Sequence, residues 1–305
     1  MIKIRSVNVF AATTMALIAL WGESALAQVP KADCTAVITS IPYTISAPGT
    51  YCFGSNLNSY GTVSISIEVG DVIVDLNGFT LFGPHKDGVI RNSTSPYNGI
   101  STLYGSSNVT VRNGRISGFD FAINLGTDTS SGSLVEDMMI DNTANCAICI
   151  HGANNVVRNN IIRATKGDLG GSYDWAGNVF GIYLIGSATT KGSQIIGNRV
   201  MGFAPATGVT TANGVGIFAS GSDVLVKDNF VEGLSKTNTI GISVSSNGGA
   251  TTSNTTVVNN YLIGSGKGIV YTSAGGMYGW NITSGVTTKY TGGTALLQGT
   301  INTNY

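Results

Sequence analysis

The chain has 305 residues, with 16 Lys plus Arg against 16 Asp plus Glu, so its formal net charge is zero. Only 10% of residues are charged and 42% are apolar, and glycine occurs 42 times. A chain this poor in cations has no electrostatic footprint for nucleic acid. Its apolar content is too high for a disordered protein, and its composition is wrong for a coiled coil or helical bundle.

The first 27 residues read as a secretory signal. Lys3 and Arg5 form a positive head, an apolar run spans residues 9–21, and Ala25, Leu26 and Ala27 make a small-x-small cleavage site. The run is too short for a spanning helix, and no other apolar run predicts a membrane span in the mature chain. The expected location is secreted or periplasmic. Four cysteines follow: Cys34, Cys52, Cys146 and Cys149. In an oxidising compartment an even count predicts disulfides. Proximity favours Cys34–Cys52, with Cys146–Cys149 as a local pair. Three residues along a straight strand are too long to bridge, so the second pair requires a bend before Cys149.

From residue 74 a pattern recurs about every 29 residues. A β-branched residue is followed by a variable one, then Asn, Asp or Gly, usually another Asn, and an apolar residue. The copies are VDLNGF (74–79), VRNGRI (111–116), VEDMMI (135–140), VRNNII (157–162), IIGNRV (195–200), VKDNFV (226–231), VVNNYL (257–262) and a weak MYGWNI (277–282). A second element precedes each copy: a small residue and then Ile100, Ile123, Ile148, Ile182, Ile217, Ile242 or Ile269. Alternation points each of these isoleucines inward. Each unit then supplies three short strands that cannot bury an apolar face alone. Stacked units pair strand on strand at about 4.8 Å per coil. Asn113, Asp137, Asn159, Asp228 and Asn259 fall at the tight bend, where left-handed backbone favours Asn, Asp and Gly. Stacked Asn side chains can bond one another along the axis.

These repeats resemble those of right-handed parallel β-helix proteins of the pectate-lyase-like superfamily. The stretches from Pro48 to Phe53 and from Val72 to Leu81 look like the opening coils of bacterial members. The resemblance covers about residues 40–285 and implies an all-β, single-stranded parallel β-helix of about eight to nine coils. The expected organisation is residues 28–70 as N-terminal cap and first strands, 71–285 as the β-helix, and 286–305 as a C-terminal cap or tail. The superfamily includes lyases, epimerases, hydrolases and non-catalytic stacks, so fold does not fix activity.

Links between the third strand of one coil and the first strand of the next are long at residues 163–181 and 201–216. Two adjacent long loops predict one wall of a groove over the first-strand sheet. The first loop carries Arg163, Lys166, Asp168, Tyr173, Asp174 and Trp175. The outward first-strand positions are Ser101, Asn124, Cys149, Tyr183, Phe218, Ser243 and Val270, with His151 at a strand end. β-Elimination from a uronate needs a group to neutralise the carboxylate, a base for the C5 proton and a proton donor. Lys166 or Arg163 could act as base or neutraliser, Tyr173 or His151 as acid, and Asp168 and Asp174 as Ca²⁺ ligands. Asn124, Tyr183, Phe218 and Trp175 would hold the sugar, since apolar sugar C–H faces suit aromatic rings. The Gly-His-Gly signature of polygalacturonases, the Arg motif of pectate lyases and the epimerase Tyr-Gly-x-Asp-Pro-His stretch are all missing. The expected partner is therefore an anionic polysaccharide. A lyase or epimerase, a non-catalytic glycan-binding or envelope protein, and a glycoside hydrolase all remain open. His85, beside Lys86 and Asp87, is expected in an early turn.

Overall fold

A computed structural model describes residues 33–85, 95–167, 177–186, 190–234, 237–246, 252–272 and 275–296. The signal-like residues 1–27 lie outside them. Every regular element is a strand, and every strand pairing is parallel. The chain winds as a parallel β-helix. Among the described residues one sheet of ten strands runs along it, and the other two faces join in one continuous sheet of 18 strands. The second and third strands of a coil are unbroken in Val109–Ser117 and Leu134–Asp141, and separate in later coils such as Val156–Arg158 and Ile161–Arg163.

The core is a set of axial rows. Ile65, Ile100, Ile123, Ile148, Ile182, Ile217, Ile242 and Ile269 stack in register on the first sheet. All are buried, as the alternation requires. Val111, Val135, Val157, Ile195, Val226 and Val257 face them from the second sheet. Ile116, Ile140, Ile162, Val200, Val231 and Leu262 do so from the third. Pairing begins at Ala36–Ile38 and runs on through Thr288–Thr291 and Thr294–Ala295, past the point where the sequence repeat fades.

The small residue before each isoleucine has a packing reason. A Cβ at Gly181 would collide with Val200 and the Gly216 carbonyl, and one at Gly216 with Val231 and the Gly241 carbonyl. The strand kinks there, so the residue before the small one and the residue after the isoleucine both face outward. That kink is the bend the local disulfide needs. Cys146 and Cys149 have Cα atoms 6.0 Å apart and are bonded, against about 10 Å for a straight strand of that span. Cys34 and Cys52 are bonded too, at 5.9 Å.

The bend between second and third strands is left-handed at Asn77, Asn113, Asp137, Asn159, Gly197, Asp228, Asn259 and Trp280, with φ from 52° to 67°. From Asn160 onward the next residue is a buried Asn. Asn160 donates its backbone N–H and its Nδ2 to Oδ1 of Asn198, each at 3.0 Å. Asn198 does the same to Asn229, Asn229 to Asn260, and Asn260 to Asn281. At the lower end the Met138 N–H donates to Oδ1 of Asn160. A second left-handed line opens the second strands at Asp71, Asn108, Asn154, Asp223 and Asn254.

Candidate functional site

The outer face of the first sheet carries two axial rows. One is Ser66, Ser101, Asn124, Cys149, Tyr183, Phe218, Ser243 and Val270, in register as alternation predicts. The other is Asn98, Phe121, Cys146, Phe180, Val215, Ile240 and Lys267. The Cys146–Cys149 disulfide joins the two rows. It packs with Phe121 in a small buried cluster, against Phe180, Tyr183 and Ile185. On the next rungs the Phe180 and Tyr183 rings stack at 4.3 Å and 11°, and Phe218 meets Tyr183 edge-on at 4.7 Å. The rings of Phe180, Tyr183 and Phe218 keep part of their surface in solvent. Tyr183 and Phe218 are the pair the first-strand alternation points to, and the kink adds Phe180 to them.

The long loops do meet. The Gly167 N–H donates to the Ala204 carbonyl, and the Ala206 N–H to Gly177. They stand at the edge where first strands begin. Lys166 is at the base of the first loop, exposed, its N–H bonded to Thr143 one coil below. Asp168, Tyr173, Asp174 and Trp175 lie outside the described residues, so the proposed Ca²⁺ ligands and the loop's acid have no described geometry.

His151 is at the opposite end of the rung from Lys166, closing the strand Cys146–His151. Its Nδ1 is 4.0 Å from Asp128. Burial pushes its pKa below 6.5, with the Asp128 carboxylate pulling weakly the other way. Lys166 is bonded to Thr143, ahead of this strand, and His151 ends it, so the structure does not bring the two together. Arg163 points out from the third sheet, its Nη2 3.5 Å from Asp141. The residues gathered by chain proximity are thus spread over three places, because side chains adjacent in sequence face different sides of a coil. His85, assigned to a turn, is fully buried, with Nε2 2.9 Å from Asp120 Oδ1. Asp120 Oδ2 accepts the Tyr97 N–H at 2.7 Å. That pair locks the link after the early coils.

The family described as "Periplasmic copper-binding protein (NosD)" matches residues 63–299. No curated protein matches the chain in a sequence search. Among solved structures, a tailspike of E. coli bacteriophage HK620, in complex with a pentasaccharide, is similar at a TM-score of 0.59 and 13% identity, over 78% of this chain and 44% of that one. The enzymatically active domain of bacteriophage CBA120 tailspike protein 2 gives 0.55 and 11%, over 83% and 41%. PfbA, a surface adhesin of Streptococcus pneumoniae, gives 0.54 and 16%, over 82% and 62%. The chain spans less than half the length of the two tailspikes. At these identities the likeness is one of fold.

Proposed function

The chain belongs to the NosD family, and from that premise we propose that it works outside the cytoplasm as a polysaccharide-binding β-helix. The observation that carries the reading is the aromatic group Phe180, Tyr183 and Phe218 on the outer face of the first sheet. Flat, partly exposed rings on consecutive rungs offer apolar platforms to sugar C–H faces, while neighbouring Asn124 and Ser243 offer polar contacts to hydroxyls. Two disulfides and the family's periplasmic description support export. A saccharide in complex with the HK620 tailspike, on the same fold, supports a glycan as the ligand class.

Copper fits this chain poorly. All four cysteines are in disulfides, which removes the thiolates that soft metals prefer. His85 is spent on Asp120, and the charged partner of His151 among the described residues is Asp128, at 4.0 Å. Among the described residues no three His, Cys, Asp or Glu converge. Among the same residues no helix is long and apolar enough to cross a membrane.

Uronate lysis or epimerisation is the second reading, favoured by Lys166 at the base of the polar loop. One experiment separates the two: affinity of the mature protein for polygalacturonate and alginate, with ultraviolet absorbance of unsaturated products and anomeric NMR followed in parallel. Saturable binding that Tyr183→Ala or Phe218→Ala weakens about tenfold is the expected result. Product formation abolished by Lys166→Ala, and by a chelator if Asp168 and Asp174 hold Ca²⁺, would establish the enzyme instead. No binding to either polymer overturns the proposal.

A further inference from the structure

The third sheet presents a second outward tract with different chemistry. Going up the axis, one row is Arg115, Met139, Ile161, Arg199, Phe230 and Tyr261. The row beside it is Ser117, Asp141, Arg163, Met201 and Glu232. Five of the chain's seven arginines lie in the described residues, and three of them are on this face. Arg115 and Arg163 converge on one oxygen of the buried Asp141, at 2.8 and 3.5 Å. One carboxylate thus holds two guanidinium groups in place while their outer edges stay in solvent. Arg199 lies 4.6 Å over the Phe230 ring and makes no ion pair among the described residues. Phe230 meets Tyr261 at 5.6 Å, and Tyr261 is 37% exposed. Beside Arg115 a cleft of about 370 Å³ opens, lined also by Thr80, Met139 and Ile161.

These groups are pre-organised rather than spent. A guanidinium stacked on a ring keeps its in-plane N–H donors free, and a planar fork matches carboxylate or sulfate geometry. The rungs repeat at about 4.8 Å along a straight axis, which suits a repeating polymer better than a compact ligand. We propose that this tract binds the anionic groups of a polysaccharide laid along the helix axis, independently of the first-sheet aromatics. Arg163 and Arg199 take carboxylate or sulfate groups, and Phe230 and Tyr261 lie under sugar rings.

The test measures affinity for polygalacturonate, dextran sulfate and neutral dextran as salt is raised. Charge recognition weakens as ions screen it, whereas ring stacking does not. The wild-type protein should prefer an anionic polymer over dextran at low salt. Arg163→Gln with Arg199→Gln should lower that affinity tenfold or more and flatten the salt dependence. Tyr183→Ala should leave the salt dependence intact. Arg115 keeps Asp141 paired in the double variant, and Arg199→Gln alone breaks no ion pair, so an unchanged melting temperature for the latter separates binding from folding. Loss toward polygalacturonate alone identifies carboxylate, and loss toward dextran sulfate alone identifies sulfate. The proposal is overturned if dextran binds as tightly as the anionic polymers at low salt, or if the double variant keeps the wild-type salt dependence. It is equally overturned if the double variant changes only the sedimentation mass, which would make the tract a contact between copies of the chain.

Discussion

The bend between the second and third sheets has one backbone geometry and two chemistries. In the C-terminal coils it is sealed by a neutral column, Asn160 through Asn281, in which each Oδ1 from Asn198 onward takes a backbone N–H and an Nδ2 from the coil below. In the N-terminal coils the same place holds Gly78 and Gly114, and a single buried carboxylate substitutes. Asp75 Oδ1 accepts the Asn77 N–H at 2.7 Å and the Asn113 Nδ2 at 3.0 Å, while Oδ2 takes Arg112 at 2.8 Å. The column spreads its hydrogen bonds over five coils and ignores salt. The carboxylate concentrates them at one atom pair and depends on a partly exposed cation. The lesson is that left-handed φ is the invariant of the corner and the side-chain network is interchangeable.

Breaking the column at its centre should have the largest effect. Asn198→Ala strips both acceptor contacts from Asn160 in a buried site, and should cost roughly 3 kcal/mol in denaturant titration. A loss near zero would mean that the backbone alone holds the bend. Asp75→Asn should cost less, about 2 kcal/mol, because one acceptor survives while the charge on Arg112 is left unpaired. That cost should shrink in high salt, whereas the cost of Asn198→Ala should not. The left-handed residue itself should matter least: Asn159→Ala by about 1 kcal/mol, and Asn159→Gly hardly at all. Equal losses for Ala and Gly would show that the Asn159 side chain, not its φ, is what counts.

The smallest expected effect concerns pH. His151 has a pKa held below 6.5 by burial. As pH falls, the unfolded chain takes the proton before the folded one. The folded state therefore loses stability from 6.5 downward, and the loss stops once pH passes the folded value. His151→Gln should flatten that part of a melting-temperature profile. An unchanged slope would assign it to carboxylates elsewhere.

The inward rows were legible because a repeat forces equivalent residues into one register: seven isoleucines and their neighbours could be aligned without coordinates. The outward first-strand row was legible for the same reason, down to Tyr183 beside Phe218. The bend residues Asn113, Asp137 and Asn159 followed from their tolerance of left-handed backbone. The second left-handed line, Asp71 through Asn254, was missed: an Asn, Asp or Gly stands just before each second strand, but its spacing drifts with loop length. Of the third-sheet arginines, Arg163 was read as part of the long loop, and Arg115 and Arg199 were not singled out. Arg115, Arg163 and Arg199 are far apart in the chain, and only the stacking of one coil on the next makes them neighbours. Lys166, Arg163 and His151 are near one another in the chain yet lie at different places on the coil for the converse reason: a coil turns through three faces in little more than twenty residues.

The asparagine column has a direction. Each coil's N–H looks upward for an oxygen carried by the next, so the acceptor arrives later in the chain than the donor it serves. Where the next coil has not yet formed, that N–H is left to water, and adding a coil moves the open donor one step along. A chain cut after Asn229 would leave that residue's N–H facing nothing, whereas one cut after Asn281 retains every bond in the column.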